Sequence, residues 1–278
     1  MSTAISTFSR PIAALALGLF GLGLAGCSTP HVDLTPRVGN LSLTGDFSVV
    51  TESAGPPATT ISGSNSLEAL GLDEDGTEFL PRADVDVGPM LLTIDHLDFS
   101  TTGQGTIDQD IVFDGITFNA TETVTSAIDL QITRGVLTWD IVPTDAVDVG
   151  LGFGVGYVAL DASIEDASNN RAQTDESTPY PFLAGRVGTS FGDLEAEALV
   201  TWIGVDVDDV DASLLDLDVT ARYNLLGVLD EHLSGWIVLG YRWVDLELDY
   251  SEDEGGDTEN YDLNIELAGP YLGLTLRI

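Results

Sequence analysis

The stretch "SGWIVLGYRWVDLELDY", residues 234–250, alternates sides along almost its whole length. Ile237, Leu239, Tyr241 and Trp243 fall on one side, and Trp236, Val238, Gly240 and Arg242 on the other. A period of two is the strand signature, because successive side chains of an extended chain point to opposite faces. A strand of this length is not that of a soluble sandwich, whose strands run to about 5–6 residues. Crossing a hydrocarbon layer takes about 9–11 tilted residues.

Seven further blocks between residues 84 and 278 have the same texture: 84–100, 123–142, 147–164, 178–191, 194–207, 212–226 and 261–278. In 212–226, Leu215, Leu217, Val219, Ala221 and Tyr223 oppose Asp216, Asp218, Thr220, Arg222 and Asn224. In 147–164, Val149, Leu151, Phe153, Val155 and Tyr157 oppose four glycines, Gly150 to Gly156. One face suits lipid, and the other is charged or very small, as a narrow lumen filled by side chains requires. Blocks 123–142 and 261–278 switch parity, near Arg134-Gly135 and Gly269-Pro270, so bulges are expected there. The links after blocks two, four and six are short, whereas 101–122, 165–177 and 251–260 are longer and polar. That rhythm is the one of short periplasmic turns and longer outer loops. The fold class expected is therefore all-β, an eight-stranded antiparallel up-and-down transmembrane β-barrel over residues 81–278. The ending "GPYLGLTLRI" resembles the last strand of outer-membrane barrels, and the whole resembles small eight-stranded barrels of the OmpA/OmpW class. Such last strands finish in an aromatic residue, and this chain finishes in Ile278.

The N-terminus carries a separate signal. One arginine, Arg10, precedes an apolar run of about 16 residues over 11–26, too short to span a bilayer as a helix. A basic start, a short apolar core and small residues read as a secretory signal over 1–26. The run ends at Cys27, the single cysteine. Leu24-Ala25-Gly26-Cys27 resembles the lipobox of bacterial lipoproteins, and that resemblance implies acylation of the Cys27 thiol and cleavage before it. With Ser28 rather than aspartate next, it also implies passage to the outer membrane. Residues 27–80, rich in Ser, Thr, Gly and Pro, read as an acylated tether with one short strand near Leu41–Val50.

Without residues 1–26 the chain has 8 basic and 46 acidic side chains, a formal charge of −38, and it contains no lysine. A phosphate backbone repels such a chain, so nucleic acid is excluded as a partner. Disorder is excluded too, since 44% of residues are hydrophobic and mean hydropathy is +0.18. Outer-membrane lipid is the partner expected, with divalent cations and lipopolysaccharide at the outer loops. The acidic stretches 72–76, 206–211 and 251–260 lack the spacing of a calcium loop, and no metal or cofactor is assigned.

The lumen-facing parity gathers Arg222 and Arg242 with Asp216, Asp218, Glu195, Glu197, Asp262 and Glu266. Charge in a barrel interior must be paired or hydrated. An arginine–carboxylate network plugging the lumen is the reading of these eight residues, since the guanidinium fork binds carboxylates two-pronged. Catalysis is not expected. His31 lies in the expected tether and His232 in a turn, and His96 stands about 13 Å along its strand from Ser100, too far for a nucleophile–base bond. The expectation is a structural or surface-interacting envelope barrel. The alternatives are a narrow barrel passing a small solute and a soluble β-sandwich lipoprotein.

Overall fold

The computed structural model describes residues 30–53, 59–72, 76–113, 116–144, 147–207, 210–230, 233–254 and 257–277. Cys27, the signal segment, His232 and Ile278 lie outside the described residues. Fifteen strands are described. They are β1 (His31–Thr35), β2 (Arg37–Ser53), β3 (Thr59–Ser66), β4 (Gly76–Phe79), β5 (Arg82–Val87), β6 (Met90–Thr106), β7 (Ile111–Phe113), β8 (Ile116–Phe118), β9 (Thr123–Pro143), β10 (Val147–Asp166), β11 (Arg171–Phe191), β12 (Leu194–Val207), β13 (Val210–Asp230), β14 (Leu233–Glu254) and β15 (Asp257–Arg277). All but β7 and β8 belong to one antiparallel sheet.

That sheet closes on itself as ten staves, not eight. The first stave is β1 with β2, which share one continuous register against β15, from Asp33 opposite Arg277 to Ser53 opposite Asp257. The second is β3, β4 and β5, which pair in turn with β2 and β1, and β6 and β9 to β15 supply the other eight. Two readings of the sequence are corrected by this. Residues 84–100 hold two strands, β5 and β6, separated by Gly88-Pro89, where Gly88 takes the left-handed backbone (φ 66°) of a tight turn. And residues 31–53 and 76–79, expected within a tether, are wall. Their serines, threonines and glycines resemble a linker only while the β15 edge they pair with is out of view. Both described ends, residues 30 and 277, lie at one rim with the turns 88–89 and 192–193 and with the strand ends at Pro143, Val147, Asp230 and Leu233. Two expected outer loops are largely strand, because β11 begins at Arg171 and β14 runs to Glu254.

Following paired residues once around the wall from His31 returns to Leu43, twelve residues farther up the same stave. With about 3.3 Å per residue and about 4.8 Å between strands, ten staves staggered by twelve tilt by about 40°.

The two expected parity switches do not occur. Even-numbered residues of β9 from Val124 to Thr138 are buried without a break, as are odd-numbered residues of β15 from Ile265 to Tyr271, with Thr275 beyond. What switches is the polarity of each face. On β10, Val147 to Tyr157 point Leu151, Phe153 and Val155 outward over inward glycines. Above Tyr157 the inward positions are Val158, Leu160, Ala162 and Ile164, and the outward ones include Asp161 and Glu165. β9 changes from inward Arg134 to inward Ile132, Leu130 and Ile128, and β15 from outward Leu272 to outward Glu266, Asn264 and Asp262. The lower half is apolar outside and charged inside, whereas the upper half is polar outside with an apolar core. The apolar belt on β10 covers eleven residues, about 25 Å along the axis at this tilt, the height of a membrane-barrel band.

The upper core includes an inserted turn. Ser66 accepts from the Ala69 N–H (3.1 Å) as a helix cap does, and the turn closes through Gly71 N–H to Glu68 O and Leu72 N–H to Leu67 O (both 2.9 Å), with Gly71 at φ 78°. It buries Leu67, Leu70 and Leu72 beside Leu41, Leu43, Phe99 and Leu130. The β7–β8 hairpin adds Phe118, and its approach is tied at Asn65, whose side-chain oxygen accepts from Asp108 N–H (2.7 Å).

Candidate functional site

The charged lower lumen is the candidate site, and its side chains are placed by strand parity. At its centre, Arg134 and Arg242 bridge Asp95 and Asp216. Arg242 reaches Asp216 at 2.7 Å and Asp95 at 3.1 Å, and Arg134 reaches Asp216 at 2.8 Å and Asp95 at 3.0 Å. Each carboxylate thereby meets both guanidinium groups, and all four side chains are 0–1% exposed. Arg134 also donates to Thr201 Oγ1 at 2.8 Å.

Beside this ring, Arg37 meets Asp218 at 2.6 Å and lies 4.8 Å from the centre of the Tyr271 ring. Tyr271 donates its hydroxyl to Asp218. Arg82 joins Asp84 (2.8 Å) to Glu197 (2.6 Å), and Thr93 donates to Asp84 at 2.6 Å. Towards the rim Arg186 meets Asp140 and Asp148, Arg222 meets Asp33 at 3.2 Å and Glu197 at 3.8 Å, and Arg277 meets Asp33 at 2.7 Å while stacking on Trp236. Seven arginines and eight carboxylates thus share one layer among the described residues: the closed ring of Arg134, Arg242, Asp95 and Asp216, and beside it a chain of five arginines and six carboxylates joined through Asp218, Glu197 and Asp33.

Glycines make the room. Gly154 faces Phe182 and Gly156 faces Tyr180 directly across β10 and β11, and Gly240 faces Tyr271 across β14 and β15. A Cβ at Gly154 or Gly156 would lie 2.2–2.3 Å from the opposing ring. The glycine row on β10 is therefore the bed of two aromatic side chains, whose rings cover the space a side chain would take.

Of the eight residues expected in the network, Arg222, Arg242, Asp216, Asp218 and Glu197 meet partners there. Glu195 lines a cavity of about 300 Å³ at the lower rim with His31, Asp86 and Arg277, and has no ion-pair partner within 4.0 Å among the described residues. Asp262 and Glu266 do not join it; both are outward and exposed on β15. A polar face is the lumen face only within the belt, and at Asp262 and Glu266, above it, that relation inverts. The network also contains Arg37, Arg82, Arg134, Arg186, Arg277, Asp33, Asp84, Asp95, Asp140 and Asp148. Asp95 and Arg134 carried a usable signal, a charge in an apolar stretch at matching parity. Asp33 and Arg37 fall within the expected tether, and Arg82 falls just ahead of the first expected strand block at residue 84.

His96 is on the outer face, its Nδ1 2.8 Å from Thr133 Oγ1. No group of three or more His, Cys, Asp or Glu residues among those described is arranged to hold a metal ion.

No family model matches the chain, and no curated protein matches it. Among solved structures it is similar to the outer membrane protease OmpT of Escherichia coli, at 10% identity over 89% of this chain and 96% of that one, with a TM-score of 0.48. It is similar to the translocator domain of the autotransporter NalP of Neisseria meningitidis, at 12% identity over 86% and 88% of the two chains and a TM-score of 0.39. A third is Ail, the attachment invasion locus protein of Yersinia pestis, at 10% identity over 86% and 99% and a TM-score of 0.28. These values carry no function to this chain, whose own geometry establishes an all-β antiparallel barrel of ten staves with an apolar belt.

Proposed function

We propose that this chain is an outer-membrane barrel with a structural or surface-interacting role, anchored by its lower half and presenting its upper half to water. The observation that carries the reading is the inversion of both faces at one height. A soluble barrel has no use for an outward belt of Leu151, Phe153, Val155, Leu183, Leu239 and Leu272. A barrel wholly within lipid has no use for Asp161, Glu266 and Asp262 on that same outer face.

A filled lumen is supported by the burial of the arginine–carboxylate layer below and of the leucine core above, among the described residues. The proposed role is therefore not solute passage. Acylation at Cys27 fits the geometry, since residue 30 enters the wall at the rim of short turns, where an inner-leaflet lipid would lie. Divalent cations, and lipopolysaccharide phosphates bridged to the acidic loops through them, remain the partners proposed for the upper surface. No catalytic step is proposed.

Reconstitution into planar bilayers tests this. The expected result is heat-modifiable migration, extraction only by detergent even for Cys27→Ala, and no ion-conducting steps. Steady conductance would replace the plugged reading with passage, and extraction by salt or alkali would remove the membrane reading altogether.

A further inference from the structure

The seam where the wall closes, between β15 and β2, has a local defect. The ladder pairs Ala268 with Ser42 and Tyr271 with Gly39, but Gly269–Leu41 and Pro270–Asn40 are skipped. Proline has no N–H to give to the ladder. On the outer face at this point lies a shallow dent of about 310 Å³, lined by Val38, Asn40, Thr77, Leu239, Pro270 and Leu272. Val38, Leu239 and Leu272 belong to the belt and are 52–59% exposed. Asn40 and Thr77 stand where the outer face turns polar, and Tyr241, opposite Pro270, marks the same level. The dent is therefore continuous with the hydrocarbon-facing surface and bounded above by two hydrogen-bonding groups.

A second feature stands above it. Asp245 and Glu266 are direct cross-strand neighbours on the outer faces of β14 and β15. Like charges in that position repel. Partial burial, with Glu247 and Glu266 beside it, holds the Asp245 carboxyl above its usual range. Neither has an ion-pair partner within 4.0 Å among the described residues, and Arg171, the one exposed arginine among them, is across the barrel on β11. Glu266 is four residues above Pro270, about 10 Å along the axis at this tilt, the scale of a lipid headgroup layer.

We infer that the dent seats one acyl chain of an ammonium-bearing, zwitterionic phospholipid, with its ester carbonyls at Asn40 and Thr77 and its ammonium against Asp245 and Glu266. The inference rests on the membrane reading above. An anionic headgroup brings no cation to the carboxylate pair and is repelled by it.

The test is native mass spectrometry of the barrel released from nanodiscs of equal phosphatidylethanolamine and phosphatidylglycerol. The wild-type barrel is expected to retain one phosphatidylethanolamine at least fivefold in preference to phosphatidylglycerol. Asn40→Phe fills the dent from outside and lowers that retention at least fivefold, and Thr77→Trp does the same should the first variant assemble poorly. Val155→Phe, across the barrel, leaves it unchanged. Asp245→Asn with Glu266→Gln keeps a lipid but brings the two headgroups to near-equal retention. Equal retention by the wild type, retention of neither lipid, or full retention by the filled variants overturns the inference. A barrel that never enters nanodiscs counts against the membrane reading, whereas entry without retention counts against the lipid site alone.

Discussion

At the scale of single residues, the network's strength lies in shared pairs rather than in any one contact, and the sharing is not complete, since Arg37 Nη2, Arg134 Nη2 and Arg242 Nη1 are buried without a hydrogen-bond partner among the described residues. Moving an arginine and an aspartate out of water costs more than their attraction returns unless the remaining donors and acceptors are also met. Arg242 is fully buried between Asp95 and Asp216, so Arg242→Met leaves both carboxylates short of a cation. The expected loss is about 3–5 kcal/mol of stability, read as a lower urea midpoint for the heat-modifiable form. Arg222→Met is expected to cost less than half as much, since its side chain is 10% exposed and its contacts are longer. Replacing Arg134, Arg242, Asp95 and Asp216 together with apolar residues of like volume is expected to restore stability or exceed it, because no unpaired charge then remains. Recovery of the quadruple variant separates a filled lumen from one that needs its charges for another purpose. A different single group reports on the upper rim. Asp166 caps its own turn, accepting from the Asn170 side chain (2.6 Å) and from the N–H groups of Asn170 and Ser168 (2.9 and 2.7 Å). These bonds, the Asn170 side chain first, hold its carboxyl below the ordinary aspartate value of 3.8. A depressed folded value means the stabilisation is complete above the unfolded value and disappears as pH falls through the folded one. NMR titration of Asp166 is expected to give a midpoint below 3.8 that returns towards it in Asn170→Ala.

At the scale of elements, close backbone approach decides where inserted pieces sit. A Cβ at Gly103 would lie 1.6 Å from the Gly71 carbonyl oxygen, and one at Gly105 would lie 2.0 Å from that of Ala69. The leucine-bearing turn is pressed against β6 at both points, and no rotamer relieves a backbone clash. Gly103→Ala is expected to cost about 1–3 kcal/mol or more and to drive the turn from the core, seen as faster amide exchange over residues 67–72. Gly135→Ala, whose Cβ meets nothing within 4 Å, is expected to stay within about 0.5 kcal/mol of wild type. The same distinction explains what could be read from the chain beforehand. Strands such as β13 and β14 declare themselves because each face is chemically uniform for ten residues or more. β2 does not, because its outward residues above Val38 are Asn40, Ser42, Thr44 and Asp46, which read as linker until β15 supplies the other edge. β5 and β6 read as one block because only Gly88-Pro89 separates them, although the inward parity changes there from Arg82 and Asp84 to Leu91, Thr93 and Asp95. Period two reports which residues share a face, and it is silent about which face is wet.

At the scale of the whole molecule, that silence becomes a physical prediction about depth. Val155 and Asp161 share the outward face of β10 six residues apart, about 20 Å along the stave and about 15 Å along the axis. Nothing breaks the ladder between them; Val155 pairs with Pro181 and Asp161 with Asp175 in one register. A fold lying wholly in lipid would bury Asp161 in hydrocarbon or its headgroups, at a cost of order 2 kcal/mol for a lipid-facing charge. A soluble fold would leave Val155 in water. The two-layer arrangement places the first in lipid and the second above it. Single spin labels at 155 and 161, on a Cys27→Ala background, are expected to respond in opposite ways. Oxygen, which concentrates in hydrocarbon, broadens the label at 155, and a water-soluble nickel chelate broadens the label at 161. Labels at 274 and 264 on β15 are expected to repeat the pattern, since Leu274 lies in the belt and Asn264 above it. If the nickel chelate reached 155 as readily as 161, the apolar belt would face water or another protein. The plugged lumen would then be the interior of a soluble barrel, because the arginine layer and the leucine core would be unchanged while the surface they support had a different neighbour.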